Sequence, residues 1–130
     1  MYLLDTNTLI YAFKNEGNVG QRLLQHSRFD IAIPILVVYE LEVGILKSQA
    51  PQRRQQQLAQ LLEWVKVFPM GLEEVRRAAS IRAVLEQRGE QIGPIDVLIA
   101  GIALAQSAIL VTRNAREFAR VPGLRVEDWY

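Results

Sequence analysis

Three acidic residues interrupt stretches that are otherwise apolar. Asp5 follows Tyr2-Leu3-Leu4, and Glu40 lies within Ile35-Leu36-Val37-Val38-Tyr39-Glu40-Leu41-Glu42-Val43-Gly44. Asp96 lies within Ile92-Gly93-Pro94-Ile95-Asp96-Val97-Leu98-Ile99-Ala100. Taking a carboxylate out of water without a partner costs several kcal/mol. Two carboxylates about 4 Å apart repel by about 1 kcal/mol in water and about 4 kcal/mol at an effective dielectric of about 20. Bringing three together is therefore favourable only with a proton or a cation between them. The chain has no cysteine and one histidine, so the available ligands are oxygens, which suit Mg²⁺ or Mn²⁺ rather than zinc. Such a site can activate water and neutralise charge on a phosphodiester during in-line displacement.

Each acid also has a plainer reading. Asp5 is well placed to cap the helix that follows it, since Asp is favoured at that position. Glu40 could pair with a nearby Arg. Asp96, in the first turn after Pro94, gains up to about 1 kcal/mol from the helix dipole. Helical spacing puts Leu36, Glu40 and Gly44 on one face and Glu42 roughly opposite. Glu42 therefore reads as structural, in an ion pair or at an interface.

The elements that must position these acids alternate between strand and helix. Apolar runs predict strands at 2–4, 30–33, 67–69 and 108–112, with an edge strand at 125–127. Helices are predicted at 8–13, 19–27, 35–47, 52–65, 72–88, 94–106 and 115–120, several opened by proline and one stopped by Gly89. This alternation predicts an α/β fold, a central mostly parallel sheet of four to five strands with helices on both faces, in one domain spanning 1–130. In such sheets ligands bind beyond the carboxyl ends of the strands, which is where Asp5 falls.

Composition bounds the function. The 130 residues are 50% hydrophobic and 22% charged, and the net charge is +1. That is a globular balance, and it excludes a protein that grips nucleic acid by bulk positive charge. No signal peptide or membrane span is visible, so a cytoplasmic protein without membrane contact is expected. A nucleophilic triad has no second histidine to use, and no phosphate-binding Gly-Lys-Ser/Thr loop is present. His26, at a polar helix end, reads as a surface or partly packed residue.

Together the motifs resemble a PIN-domain protein, and within that group the VapC-type toxins of toxin–antitoxin pairs. The carrying residues are Leu4-Asp5-Thr6-Asn7, Glu40-Leu41 with Gly44, Ile92-Gly93-Pro94-Ile95-Asp96, Val111-Thr112-Arg113-Asn114 with Arg116-Glu117-Phe118, and Val121-Pro122-Gly123-Leu124-Arg125-Val126-Glu127-Asp128-Trp129. They span almost the whole chain. The resemblance implies a doubly wound fold and a Mg²⁺- or Mn²⁺-dependent endoribonuclease that cuts structured RNA, often tRNA. It also implies a VapB-type antitoxin, a homodimer and a toxin–antitoxin hetero-oligomer.

By position, Asp5, Glu40 and Asp96 match the three core acids, and Thr6, Asn7 and Thr112 match residues that support them. Asn114 stands where many PIN domains have a fourth Asp, so Asn114 as a metal ligand and Glu117 as the missing acid are both candidates. This departure keeps open a catalytically weakened PIN-fold binding module, beside a PIN-type nuclease outside toxin–antitoxin systems. Arg113, Arg116 and Arg120 flank the last motif and could meet RNA phosphates. The apolar breadth of the Glu40 helix, with Val37, Val38, Leu41 and Ile45, suggests that part of it is an antitoxin or dimer surface.

Overall fold

Tyr2–Leu4 (β1) forms the middle of a five-stranded sheet whose order is β3-β2-β1-β4-β5, every neighbouring pair being parallel. The other strands are Ile31–Pro34 (β2), Lys66–Phe68 (β3), Ile109–Val111 (β4) and Arg125–Glu127 (β5) in this computed structural model, which describes residues 1–130. Helices α1 (Thr6–Phe13) and α2 (Val19–Leu24) join β1 to β2. Helices α3 (Ile35–Leu46) and α4 (Pro51–Trp64) join β2 to β3. Then α5 (Leu72–Arg88) and α6 (Pro94–Ala105) carry the chain back across the sheet to β4, and α7 (Ala115–Phe118) leads to β5. Right-handed crossovers put connections running in opposite directions on opposite faces of the sheet. The reversal falls between β1 and β4, where Leu4 pairs with Val111, and opens the crevice in which such folds bind ligands.

A parallel sheet covered on both faces needs uninterrupted apolar strands. Accordingly Leu3, Leu4, Ile31, Ala32, Ile33, Leu110 and Val111 are fully buried, within one core of 27 hydrophobic residues. No helix is long and apolar enough to cross a membrane.

The departures from the sequence reading have local causes. Helix α1 starts at Thr6 rather than Thr8, because the Asp5 side chain caps it. Helix α2 stops at Leu24, and Ser27, expected at its end, instead accepts from Phe29 N–H to start a single 3₁₀ turn at Arg28–Asp30. Helix α7 ends at Phe118 rather than Arg120. Gly89 closes α5 in the left-handed conformation, φ 65°. Val37, Leu41 and Ile45 on α3 all belong to the core, and Leu41 and Ile45 also reach the groove between α1, α3 and α4. Helix α3 packs against α1, α4, α6 and β2 together, so it needs apolar residues on most sides. Its exposed apolar side chains are Ile35, Tyr39 and Leu46.

Candidate active site

Asp5 is held from three directions at the end of β1. Its backbone N–H donates to the Val111 carbonyl (3.1 Å), and its Oδ1 accepts from Thr8 N–H (3.0 Å). The Thr8 hydroxyl donates to that same Val111 carbonyl (3.2 Å), tying α1 to β4. Asp5 is thus both helix cap and crevice residue. It is 8% exposed, and the cap hydrogen bond engages only one of its two oxygens.

Glu40, midway along α3, is half-buried, and its Oε1 accepts from the Thr6 hydroxyl at 2.6 Å. No Arg or Lys forms an ion pair with it, and Glu42 also has none. The first turn of α1 therefore fixes two of the three acids, Asp5 through its cap and Glu40 through Thr6.

Asp96 enters from the third residue of α6 and is half-buried. Its carboxyl is pushed up from 3.8 to about 6, first by burial and then by the negative charges of Glu40, Asp5 and Glu117. The fold therefore brings Asp5 after β1, Glu40 of α3 and Glu117 of α7 within electrostatic reach of Asp96. Gly93 leaves the space that Asp96 uses: a Cβ there would lie 3.2 Å from Asp96 Oδ2.

The fourth position is a pair. Asn114 Nδ2 donates to Glu117 Oε2 (2.9 Å), and Asn114 N–H donates to the buried Thr112 hydroxyl (3.0 Å). The Thr112 N–H in turn donates to the Glu127 carbonyl of β5 (2.9 Å). Asn114 and Glu117, weighed above as alternatives, are joined by a hydrogen bond, with the amide oxygen of Asn114 facing no donor within the chain.

Asn7 is exposed and makes no side-chain hydrogen bond, so it is not gathered with the acids. Arg120 Nη1 donates to the Gln91 carbonyl (3.1 Å), whereas exposed Arg116 has no partner. Thr8 escaped sequence reasoning. Its position three residues after a capping Asp was the available signal, but its hydroxyl contact spans 103 residues of chain.

No three of the acids converge closely enough to enclose a cation on their own. Asp96 and the three carboxylates whose charges raise its proton affinity nevertheless form a donor set suited to a hard divalent cation that keeps several waters.

The PIN domain family matches residues 2–124. A tRNA(fMet)-specific endonuclease VapC from Salmonella typhimurium is 34% identical over 128 residues, covering 98% of this chain and 97% of that protein. The chain belongs to the PIN-domain family, among the VapC ribonucleases. Ribonuclease VapC2 of Rickettsia felis is likewise 34% identical over 131 residues, covering 99% of this chain and 98% of that one. The PIN fold aligns with TM-score 0.92 to a crystal structure of VapBC2 from Rickettsia felis bound to a DNA fragment from their promoter, over 99% of this chain and 98% of that one at 34% identity.

Proposed function

We propose that this protein is a divalent-cation-dependent endoribonuclease, cutting structured RNA of the tRNA class, and the toxin half of a toxin–antitoxin pair. The observation that carries the reading is the raised Asp96 carboxyl, surrounded by Glu40, Asp5 and Glu117 with no cationic side chain paired to any of the four. A protein that carries such repulsion at the switch point of its sheet has a use for a cation there. The tRNA class is supported by the tRNA(fMet) specificity of the Salmonella relative.

Asp5, Glu40 and Asp96 would hold the ion, with the amide oxygen of Asn114 and the carboxylate of Glu117 at its rim. Bound there, Mg²⁺ or Mn²⁺ supplies charge neutralisation and a water acidic enough to attack a phosphodiester. The chain's own contribution is orientation. The Thr8 N–H and the Asp5–Val111 bond hold the Asp5 carboxylate, and Thr6 holds Glu40 in one rotamer. The Asn114–Glu117 bond steadies the acid that replaces the usual Asp, which disfavours a module stripped of catalysis.

A groove of about 240 Å³ runs beside Glu40 between α1, α3 and α4, walled by Ile10, Phe13, Leu41, Ile45 and Leu58, with Arg54 at its side. Its position and apolar walls suit an antitoxin segment that covers the acids while inhibiting the toxin.

Purified protein should cut bulk tRNA in Mn²⁺ and stop in EDTA. Asp5→Asn and Asp96→Asn should each slow cutting by about a hundredfold or more, close to 3 kcal/mol of barrier. Full-rate cutting in EDTA, or by both folded variants, would overturn the assignment.

A further inference from the structure

Beyond the acids, the same end of the sheet carries a built cation. The Arg113 guanidinium lies 3.4 Å from the centre of the Tyr130 ring and 5.6 Å from that of Tyr11. The two tyrosine rings meet edge to face at 5.0 Å. Arg113 is exposed, yet it forms no ion pair and donates no hydrogen bond within the chain. Stacking engages the flat face of a guanidinium and leaves its five in-plane N–H donors free.

The seat of Tyr130 is itself constructed. Its carbonyl accepts from Asn18 N–H, and its ring packs over Gly17, which has φ 61°. A Cβ at Gly17 would lie 2.6 Å from the Tyr130 carbonyl oxygen and 2.8 Å from its ring, so only glycine leaves the space. At the other side of the stack, the bonds of Thr112 N–H to Glu127 and of Asn114 N–H to the Thr112 hydroxyl pin the backbone on either side of Arg113. Arg113 is therefore fixed at both backbone and side chain, between buried Thr112 and the Asn114–Glu117 pair.

We propose that Arg113, stacked on Tyr130 and Tyr11, is a pre-oriented binding site for an RNA backbone phosphate at the rim of the carboxylate cluster, with Tyr130 as its positioning residue. The inference rests on the RNA-cutting reading above. A polyanion approaching a cluster of acids is repelled, and a net charge of +1 provides no bulk attraction to offset it. A fixed cation at the rim supplies that attraction locally. Because the long side chain is already ordered, its planar fork can meet two phosphate oxygens without losing further freedom. The structure thereby separates the three arginines: Arg113 is ordered and uncommitted, Arg120 is engaged with Gln91, and Arg116 has no contact to order it.

The test uses the intact protein and bulk tRNA, read as cleavage kinetics in Mn²⁺ and as RNA binding in EDTA across a salt series. Arg113→Ala should weaken binding and raise KM about tenfold, with a much smaller change in kcat. It should also lower the slope of log affinity against log salt by about 0.7, the value for one single-stranded phosphate contact. Tyr130→Ala should raise KM in the same direction, Tyr130→Phe should restore it, and the Arg113→Ala/Tyr130→Ala double variant should be no worse than Arg113→Ala alone. If Tyr130→Ala does not fold, Arg113→Ala, changing an exposed side chain, decides the matter. Wild-type cutting with unaltered KM and salt slope in folded Arg113→Ala would overturn the phosphate site alone. Wild-type protein that neither binds nor cuts tRNA would overturn both readings.

Discussion

Helix α6 carries Asp96 in its first turn and Gly101 five residues later, and the two positions have opposite characters. Around Asp96, burial and the charges of Glu40, Asp5 and Glu117 raise its proton affinity, and no cationic side chain pairs with these acids. Around Gly101, α5 approaches so closely that a Cβ would lie 2.8 Å from the Ala78 Cβ and 2.9 Å from the Glu74 carbonyl oxygen. The seam between α5 and α6 stabilises the fold by close packing of small and apolar groups. The carboxylate end works against stability in the metal-free chain, and its geometry is held by hydrogen bonds from Thr6 and Thr8 rather than by tight packing. One helix thus serves as an anchor at the seam and as a support for an electrostatically costly site at its start, the usual division between scaffold and functional site.

Substitutions at the two positions should therefore separate stability from cation binding. Gly101→Val should give the largest change in stability, a loss of about 2–3 kcal/mol from overpacking against Ala78 and the α5 backbone. Denaturant unfolding would show it, while the Mn²⁺ affinity of the folded fraction stays near that of wild type. A fall in Mn²⁺ affinity matching the fall in stability would dissolve the distinction between seam and site.

Asp96→Asn should act in the opposite sense. A carboxyl with a folded pKa of about 6 against 3.8 unfolded binds more protons when folded, so its contribution is present below about pH 4 and lost as pH rises through about 6. With allowance for screening at a half-buried group, the variant should stabilise metal-free protein by about 1 kcal/mol at neutral pH. Near pH 4 it should change little. Thermal melts in EDTA at the two pH values check this, and a destabilised variant at neutral pH would mean that Asp96 has a partner in the fold.

The smallest expected change is at Thr6→Val, which removes the donor to Glu40. It should cost about 0.5–1 kcal/mol of stability, because the freed carboxylate can turn toward solvent. It should weaken Mn²⁺ binding severalfold by loosening Glu40. Unchanged Mn²⁺ affinity would remove Thr6 from the account of the site.

The three acids stood out in the sequence because a charge within an apolar run contradicts its surroundings, and the fold brings Asp5 and Glu40 within electrostatic reach of Asp96. The full length of α5 was legible too, from its periodicity and its closing Gly89. Contacts between distant segments were not. The Thr8 hydroxyl finds Val111, and Tyr130 finds Gly17 and Arg113, only after the sheet has formed. The breadth of apolar residues on α3 suggested a surface, and much of it is spent on packing against four neighbouring elements, with Val37 fully enclosed and Leu41 and Ile45 still reaching a groove. Asn114 and Glu117 read as rivals along the chain, since spacing alone does not say that a side-chain amide will reach the acid three residues later.

The central claim is that the acids of β1, α3 and α6 share one divalent cation. Calorimetric titration of Mn²⁺ into metal-free protein at neutral pH, for wild type, Asp5→Asn and Asp96→Asn, tests it most directly. The account predicts a saturable site in wild type, and its loss or at least about tenfold weakening in both folded variants. Equal Mn²⁺ binding by all three proteins, or none by wild type, would contradict it.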